Sequence, residues 1–122
     1  MPIPLEDYVV LFNKRLFFKF HEDLESVWIR ERGPDKEFYQ GLIQISAAFV
    51  HYYLGRNHRG TLNLLNRGSK LLRKYPPFYG GLEIRRLLAD VEQAILDIDK
   101  NDGFPKRFRF PRLREVGQIS KR

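Results

Sequence analysis

The sequence contains no cysteine and has one tryptophan and one methionine among its 122 residues. The absence of cysteine excludes disulfide bonds, a thiol nucleophile and a zinc or iron–sulfur site with cysteine ligands. It is also typical of the reducing cytoplasm, where we expect this protein. No basic stretch followed by an apolar run stands at the start, so we expect no secretory signal. No apolar run approaches the roughly 20 residues of a membrane span, and we expect no membrane association.

Hydrophobic residues make up 43% of the chain and aromatic residues 14%. A chain of this length and composition can bury a core without cross-links, and it forms one ordinary domain. The composition therefore argues against intrinsic disorder and against a two-domain enzyme.

Acidic residues are scarce in two parts of the chain, whose formal net charge is +7. Residues 100–122 hold eight basic and two acidic side chains, so the C-terminal segment is basic while the body is nearly neutral. Residues 54–75 hold no acidic side chain at all, which predicts a basic face on the body. The basic residues of this second stretch are Arg56, Arg59, Arg67, Lys70, Arg73 and Lys74.

Apolar residues recur at helical spacing through the body, and Pro and Gly separate the segments. This pattern predicts helices over about 5–12, 16–31, 38–53, 61–74 and 82–98, with a loop at 75–81. The fold class is therefore all-α: a compact bundle of about five helices over residues 1–100, followed by an extended basic C-terminal tail over residues 101–122.

The segment 38–53 carries no formal charge and is apolar in most directions, which predicts the central helix of the bundle. We expect Leu42, Ile45 and Phe49 to be nearly inaccessible. One narrow polar stripe remains on this helix, formed by Gln40, Gln44 and His51, and buried polar groups require partners. In the following segment, Gly68 inside a helix predicts the close approach of a neighbouring helix.

Two motifs carry a family resemblance. The first comprises Leu11-Phe12-Asn13, Phe17-Phe18, His21-Glu22-x-x-Glu25 and Trp28, and the second comprises Phe38-x-Gln40-Gly41-Leu42-Ile43-Gln44 and His51. Over about 11–96 the chain resembles the prokaryotic domain of unknown function 309 family, although Lys19-Phe20 replaces the usual acidic-small pair. The resemblance implies a compact all-helical domain and no reaction. It also implies a shared site formed by His21, Glu25, Trp28, Gln40, Gln44 and His51.

His21 and Glu25 lie one turn apart on one helix, so both can face the same point, and His51 with Gln44 could meet them from the central helix. A satisfied buried network with the glutamines is one interpretation, and a small-ligand pocket is another. His21, Glu25 and His51 could also bind a divalent metal such as zinc, iron or manganese, or act as an acid/base group. A zinc-protease motif is not present, because Glu25 occupies the place of its second histidine.

The tail alternates cations with aromatic rings, a combination that suits phosphate contacts and base stacking. The alternative is that Phe104, Phe108 and Phe110 dock on the bundle while the arginines stay solvated, which we favour. The nucleic-acid candidates are Lys106, Arg107, Phe108, Arg109, Phe110, Arg112 and Arg114.

Taken together, these features favour a binding or interaction domain that recognises a protein partner or a small ligand through a polar pocket in an aromatic core. One alternative is a metal-dependent or acid/base enzyme, such as a hydrolase, that uses His21, Glu25 and His51. A second alternative is a protein that associates with nucleic acid through its basic tail. A homo-oligomer is compatible with each of these.

Overall fold

The structure, a computed structural model, describes residues 4–55 and 57–117. The described residues form an all-α bundle, as predicted, with one very short β-hairpin. None of its helices has the length and apolar character that crossing a membrane would require. The helices are α1 (Leu5–Asn13), α2 (Phe17–Trp28), α3 (Lys36–Tyr53), α4 (His58–Leu72) and α5 (Ile84–Asn101).

Helix α3 is the centre of the bundle and packs between α2 and α4. Leu42 is 1% exposed, and Ile45 and Phe49 are fully buried, which confirms the expectation drawn from the uncharged segment. The surrounding core is rich in aromatic rings at edge or tilted angles. Phe49, for example, lies 5.1 Å from Phe17 between ring centroids. Such pairs add attraction beyond the area that they bury.

Two glycines let α3 and α4 approach closely. A Cβ atom on Gly68 would lie 2.8 Å from the carbonyl oxygen of Gly41 and 2.8 Å from Cγ1 of Ile45, both on α3. The prediction that Gly68 marks a close helix approach is therefore confirmed. Because backbone atoms form one wall of the contact, the helices would have to separate to admit a methyl group.

Gly68→Ala should lower the free energy of unfolding by about 1–3 kcal/mol through overpacking, despite the roughly 1 kcal/mol that alanine gains in helix propensity. Urea denaturation of both proteins measures the difference. Asn63→Ala, at an exposed position of the same helix, is the control and should leave stability unchanged or slightly higher. An alanine at 68 that raises stability would contradict this close packing.

A small hairpin, which was not predicted, occupies the end of the predicted loop at 75–81 and the first two residues of the predicted helix at 82–98. Strands β1 (Phe78–Tyr79) and β2 (Leu82–Glu83) pair antiparallel across Gly80 and Gly81. Both glycines have positive φ angles, 59° and 80°, which tight two-residue hairpins require. The Tyr79 hydroxyl donates a hydrogen bond to Asp35, and this bond raises the pKa of Tyr79 to about 12.

The tail packs on the body and completes the core, with a turn at 106–107 and no regular secondary structure over 108–114. Phe108 is 8% exposed and Phe110 is 9% exposed, while Arg107 and Arg109 point to solvent. The two phenylalanines share one side of the segment, as the alternation requires, and both lie against Phe49.

Hydrogen bonds fix the tail to both ends of the fold. The side chain of Asn13 donates to the carbonyl oxygen of Leu113 at 2.9 Å and accepts from its backbone N–H at 2.8 Å. Glu115 forms an isolated β-bridge with Leu82, and the Arg114 guanidinium lies 2.9 Å from the carboxylate of Asp90. The tail is therefore held by specific contacts to α1, the hairpin and α5.

Candidate functional site

The structure brings His21 and Glu25 together at the surface. Nε2 of His21 lies 3.9 Å from Oε2 of Glu25, with the two side chains 25% and 51% exposed. Water reaches both groups, so any attraction between them needs a protonated imidazole and is screened. Neither residue belongs to the cluster of buried residues that forms the aromatic core.

The polar stripe of α3 lies partly open to solvent. Gln40, Gln44 and His51 are all half-buried. None of the three belongs to the cluster of buried residues that forms the aromatic core.

His51 is directed towards α4. A Cβ atom on Gly60 would lie 3.0 Å from Nδ1 of His51, so this imidazole packs on the α4 backbone. His21 instead packs near Phe18, with 6.1 Å between the ring centroids. In the described part of the chain, no hydrogen bond, ion pair or ring contact joins the two histidines.

Trp28 forms a separate contact at the far end of α2. Nζ of Lys36 lies 4.3 Å from the centroid of the indole ring and donates a 2.6 Å hydrogen bond to the Trp28 carbonyl oxygen. This cation–π contact joins the end of α2 to the start of α3. The role of Trp28 in the structure is therefore local packing at the α2–α3 connection.

Three of the candidate side chains have a buried polar atom without a hydrogen-bond partner. These atoms are Nδ1 of His21, Nε1 of Trp28 and Oε1 of Gln44. Gln44 Oε1 and His21 Nδ1 therefore take no part in the satisfied network that was one interpretation of these residues. Within residues 4–55 and 57–117, no three His, Cys, Asp or Glu side chains are grouped so that they could hold a metal ion.

The tail candidates divide into buried rings and exposed cations. Phe108 and Phe110 are in the core and cannot stack on bases, while Arg114 is paired with Asp90. Base stacking by these two rings is thus excluded in this arrangement. The remaining candidates, Lys106, Arg107, Arg109 and Arg112, are exposed.

An apolar cleft that the sequence analysis missed opens between the start of α2 and the end of α3. Its volume is about 450 Å³, and no acidic residue lines it. Four of its side chains are large, hydrophobic and at least half exposed: Leu16 50%, Phe18 58%, Tyr53 54% and Leu54 60%. The remaining lining residues are Arg15, Phe17, Lys19 and Val50.

His21 borders this cleft through its contact with Phe18, so one residue of the predicted site adjoins it. A signal for the cleft was present in the sequence. Phe18 points about 100° away from Phe17 on a helix and falls outside the apolar arc of α2. A large ring outside the core arc of a helix either contacts a partner or lies in water.

Comparison with protein families matches residues 5–64 to a domain of unknown function (DUF309). The matched residues contain both motifs of the resemblance, so the comparison confirms the predicted family for this part of the chain. The resemblance was predicted over about 11–96, so the matched range begins earlier and also ends earlier than predicted. The tail lies outside the matched range. No curated protein and no solved structure matches the chain.

Proposed function

We propose that this protein is an interaction domain that binds an apolar segment of a partner protein in the cleft between α2 and α3. The observation that carries the proposal is the grouping of Leu16, Phe18, Tyr53 and Leu54, each at least half exposed, around one cleft. Contiguous exposed apolar surface on a soluble domain marks a binding surface more often than chance. Among the described residues outside the cleft, Phe78 is the one other aromatic ring that is exposed, at 61%, and it stands apart in the β-hairpin.

The cleft favours a protein segment over a small molecule. Small-molecule sites enclose most of their ligand and present several converging polar groups. Here the rims of the cleft, Phe18, Tyr53 and Leu54, project into solvent, and only a larger partner could cover them. Such a partner would insert two or three large apolar side chains.

The charged residues that line the cleft indicate which kind of partner segment fits it. Arg15 and Lys19 are the charged groups that line the cleft, and the Arg15 guanidinium is held 4.4 Å from the Phe110 ring centroid. The cation of Arg15 is thus fixed beside the apolar surface. Lys19 is partly neutralised by Asp23 at 2.9 Å. A segment with acidic residues next to its apolar ones fits this edge best.

Selection of displayed random peptides on the immobilised protein tests the proposal. Enriched peptides should combine leucine or phenylalanine with aspartate or glutamate. Leu54→Asp should weaken binding of the enriched peptides at least about ten-fold, roughly 1.4 kcal/mol. Leu96→Asp is the matched control, since Leu96 is 62% exposed on α5, outside the cleft, and it should leave binding unchanged.

Two results would overturn the proposal. Equal binding by the Leu54 and Leu96 variants would place the peptides elsewhere. A concentration-dependent dimer in sedimentation experiments that Leu54→Asp abolishes would show that a second copy of the chain, and not another protein, covers the cleft.

A further inference from the structure

The outward face of α4 carries a row of cations on a different side of the body. Helix α4 contains no acidic residue, and Arg59, Arg67 and Lys70 are all exposed. At 100° per residue these three side chains fall within an arc of roughly 80°, and they span roughly 16 Å along the helix. The opposite side of α4 packs on α3 through Leu65, Gly68 and other buried residues.

The three cations are not neutralised by the fold. Within the described residues, no carboxylate lies within 4 Å of the charged groups of Arg59, Arg67 or Lys70. The two basic residues that follow the helix differ, since Arg73 pairs with Glu92 at 3.4 Å and Lys74 with Glu37 at 2.9 Å. The outward cations therefore keep their full charge for an external anion.

The other side chains of this face select the kind of anion. Asn63 and Asn66 are exposed among the cations and carry amide donors of the type that contacts phosphate oxygens. The Asn66 amide already donates one hydrogen bond to the carbonyl oxygen of Leu62 at 2.9 Å and has a second N–H. None of the large hydrophobic residues that the structure exposes lies on α4. A membrane surface needs apolar side chains to insert, and a single strand needs aromatic rings for stacking, so neither fits this face.

We propose that the outward face of α4 binds the phosphate backbone of double-stranded nucleic acid, without preference for base sequence. Each strand of a duplex presents one phosphate per 3.4 Å of its axis, so a face of roughly 16 Å spans about five phosphates of one strand. Arg59, Arg67 and Lys70 supply the ionic contacts. This activity goes beyond the proposed peptide cleft and uses none of its residues.

A fluorescent 20-base-pair duplex, prepared as DNA and as RNA, tests the proposal by titration with the full chain from low to moderate salt. The double variant Arg67→Gln/Lys70→Gln should weaken binding at low salt roughly ten-fold or more. It should also reduce the slope of log affinity against log salt by about 1.8, which is about 0.9 for each lost phosphate contact. Circular dichroism should show an unchanged fold, because both side chains are exposed.

Lys14→Gln/Arg30→Gln is the matched control, since it removes the same charge from exposed positions of the body outside α4. It should leave the slope within a few tenths of the parent value. An equal loss in both double variants would overturn the proposal, because it would show an effect of net charge alone. Absence of duplex binding at low salt, tighter binding to the single strand, or binding to phosphatidylserine vesicles in place of the duplex would overturn it as well.

Discussion

Replacing Phe49 by alanine should lower the free energy of unfolding by about 3–5 kcal/mol. Phe49 is fully buried at the centre of α3 and contacts rings from two other parts of the chain, Phe17 of α2 and Phe110 of the tail. Truncation removes the ring and leaves a cavity that three separate elements would have to close. Urea or thermal denaturation followed by far-ultraviolet circular dichroism measures the effect.

Two comparisons make the result for Phe49 specific. Phe49→Leu keeps most of the volume and should cost clearly less than the alanine variant. Leu96→Ala truncates a side chain that is 62% exposed and should change stability by less than about 0.5 kcal/mol. A cost for Phe49→Ala as small as that of Leu96→Ala would show that α3 is not the core helix.

Phe110→Ala should destabilise the protein by about 3 kcal/mol, the lower end of the range for a buried phenylalanine, because its ring remains slightly exposed. The ring stacks against Phe17 at 5.9 Å and contacts Tyr52 at 5.3 Å, while the Arg15 guanidinium covers it. Loss of these contacts weakens the attachment of the tail to the body. Denaturation measures stability, and the rate of tryptic cleavage in the tail should rise in parallel.

The neighbouring Arg109 provides the control for this prediction. Arg109→Ala changes an exposed side chain of the same segment and should alter stability by less than about 0.5 kcal/mol. Phe110 contacts Phe17 at the start of α2, whereas Trp28 is the last residue of that helix. The fluorescence of Trp28 therefore reports whether the helical body remains folded when the tail is released. Equal stability of the Phe110 and Arg109 variants would contradict the docked tail.

The helices and the core could be predicted because their signals are local. The uncharged segment 38–53 predicted the central helix, since a helix apolar in most directions must be covered on most sides. The alternation of Arg107, Phe108, Arg109 and Phe110 predicted which side of the tail is buried, because neighbouring side chains of an extended chain face opposite ways. Gly68 predicted a helix contact through its low helix propensity.

The site could be predicted only in part, because it depends on which neighbours cover each face. The pairing of His21 with Glu25 follows from spacing on one helix, and the structure shows it. The direction of His51 depends on whether α2 or α4 lies beside it, which helical phase alone does not determine. Phe18 and Leu54 belong to one cleft only because α2 and α3 run side by side in opposite directions. This packing is part of the tertiary structure and cannot be read from either helix alone.

The hairpin at Phe78–Glu83 was missed for a different reason. Strands of two residues are too short to show alternation, and they form because glycines at 80 and 81 adopt positive φ angles beside a bridge from Glu115. The sequence signal was the Gly-Gly pair, which is typical of two-residue hairpins as well as of loops.

The two hydrogen bonds between Asn13 and Leu113 join residues that are 100 positions apart. During synthesis, α1 and α2 are therefore made long before the segment that covers Phe17 and Phe49. At roughly 5–20 residues per second, residue 113 is added roughly 0.6–2.4 seconds after Asn101, the last residue of α5. Until the tail docks, the rings beneath it have no cover, so a chaperone that binds exposed aromatic surface on nascent chains would find its target here.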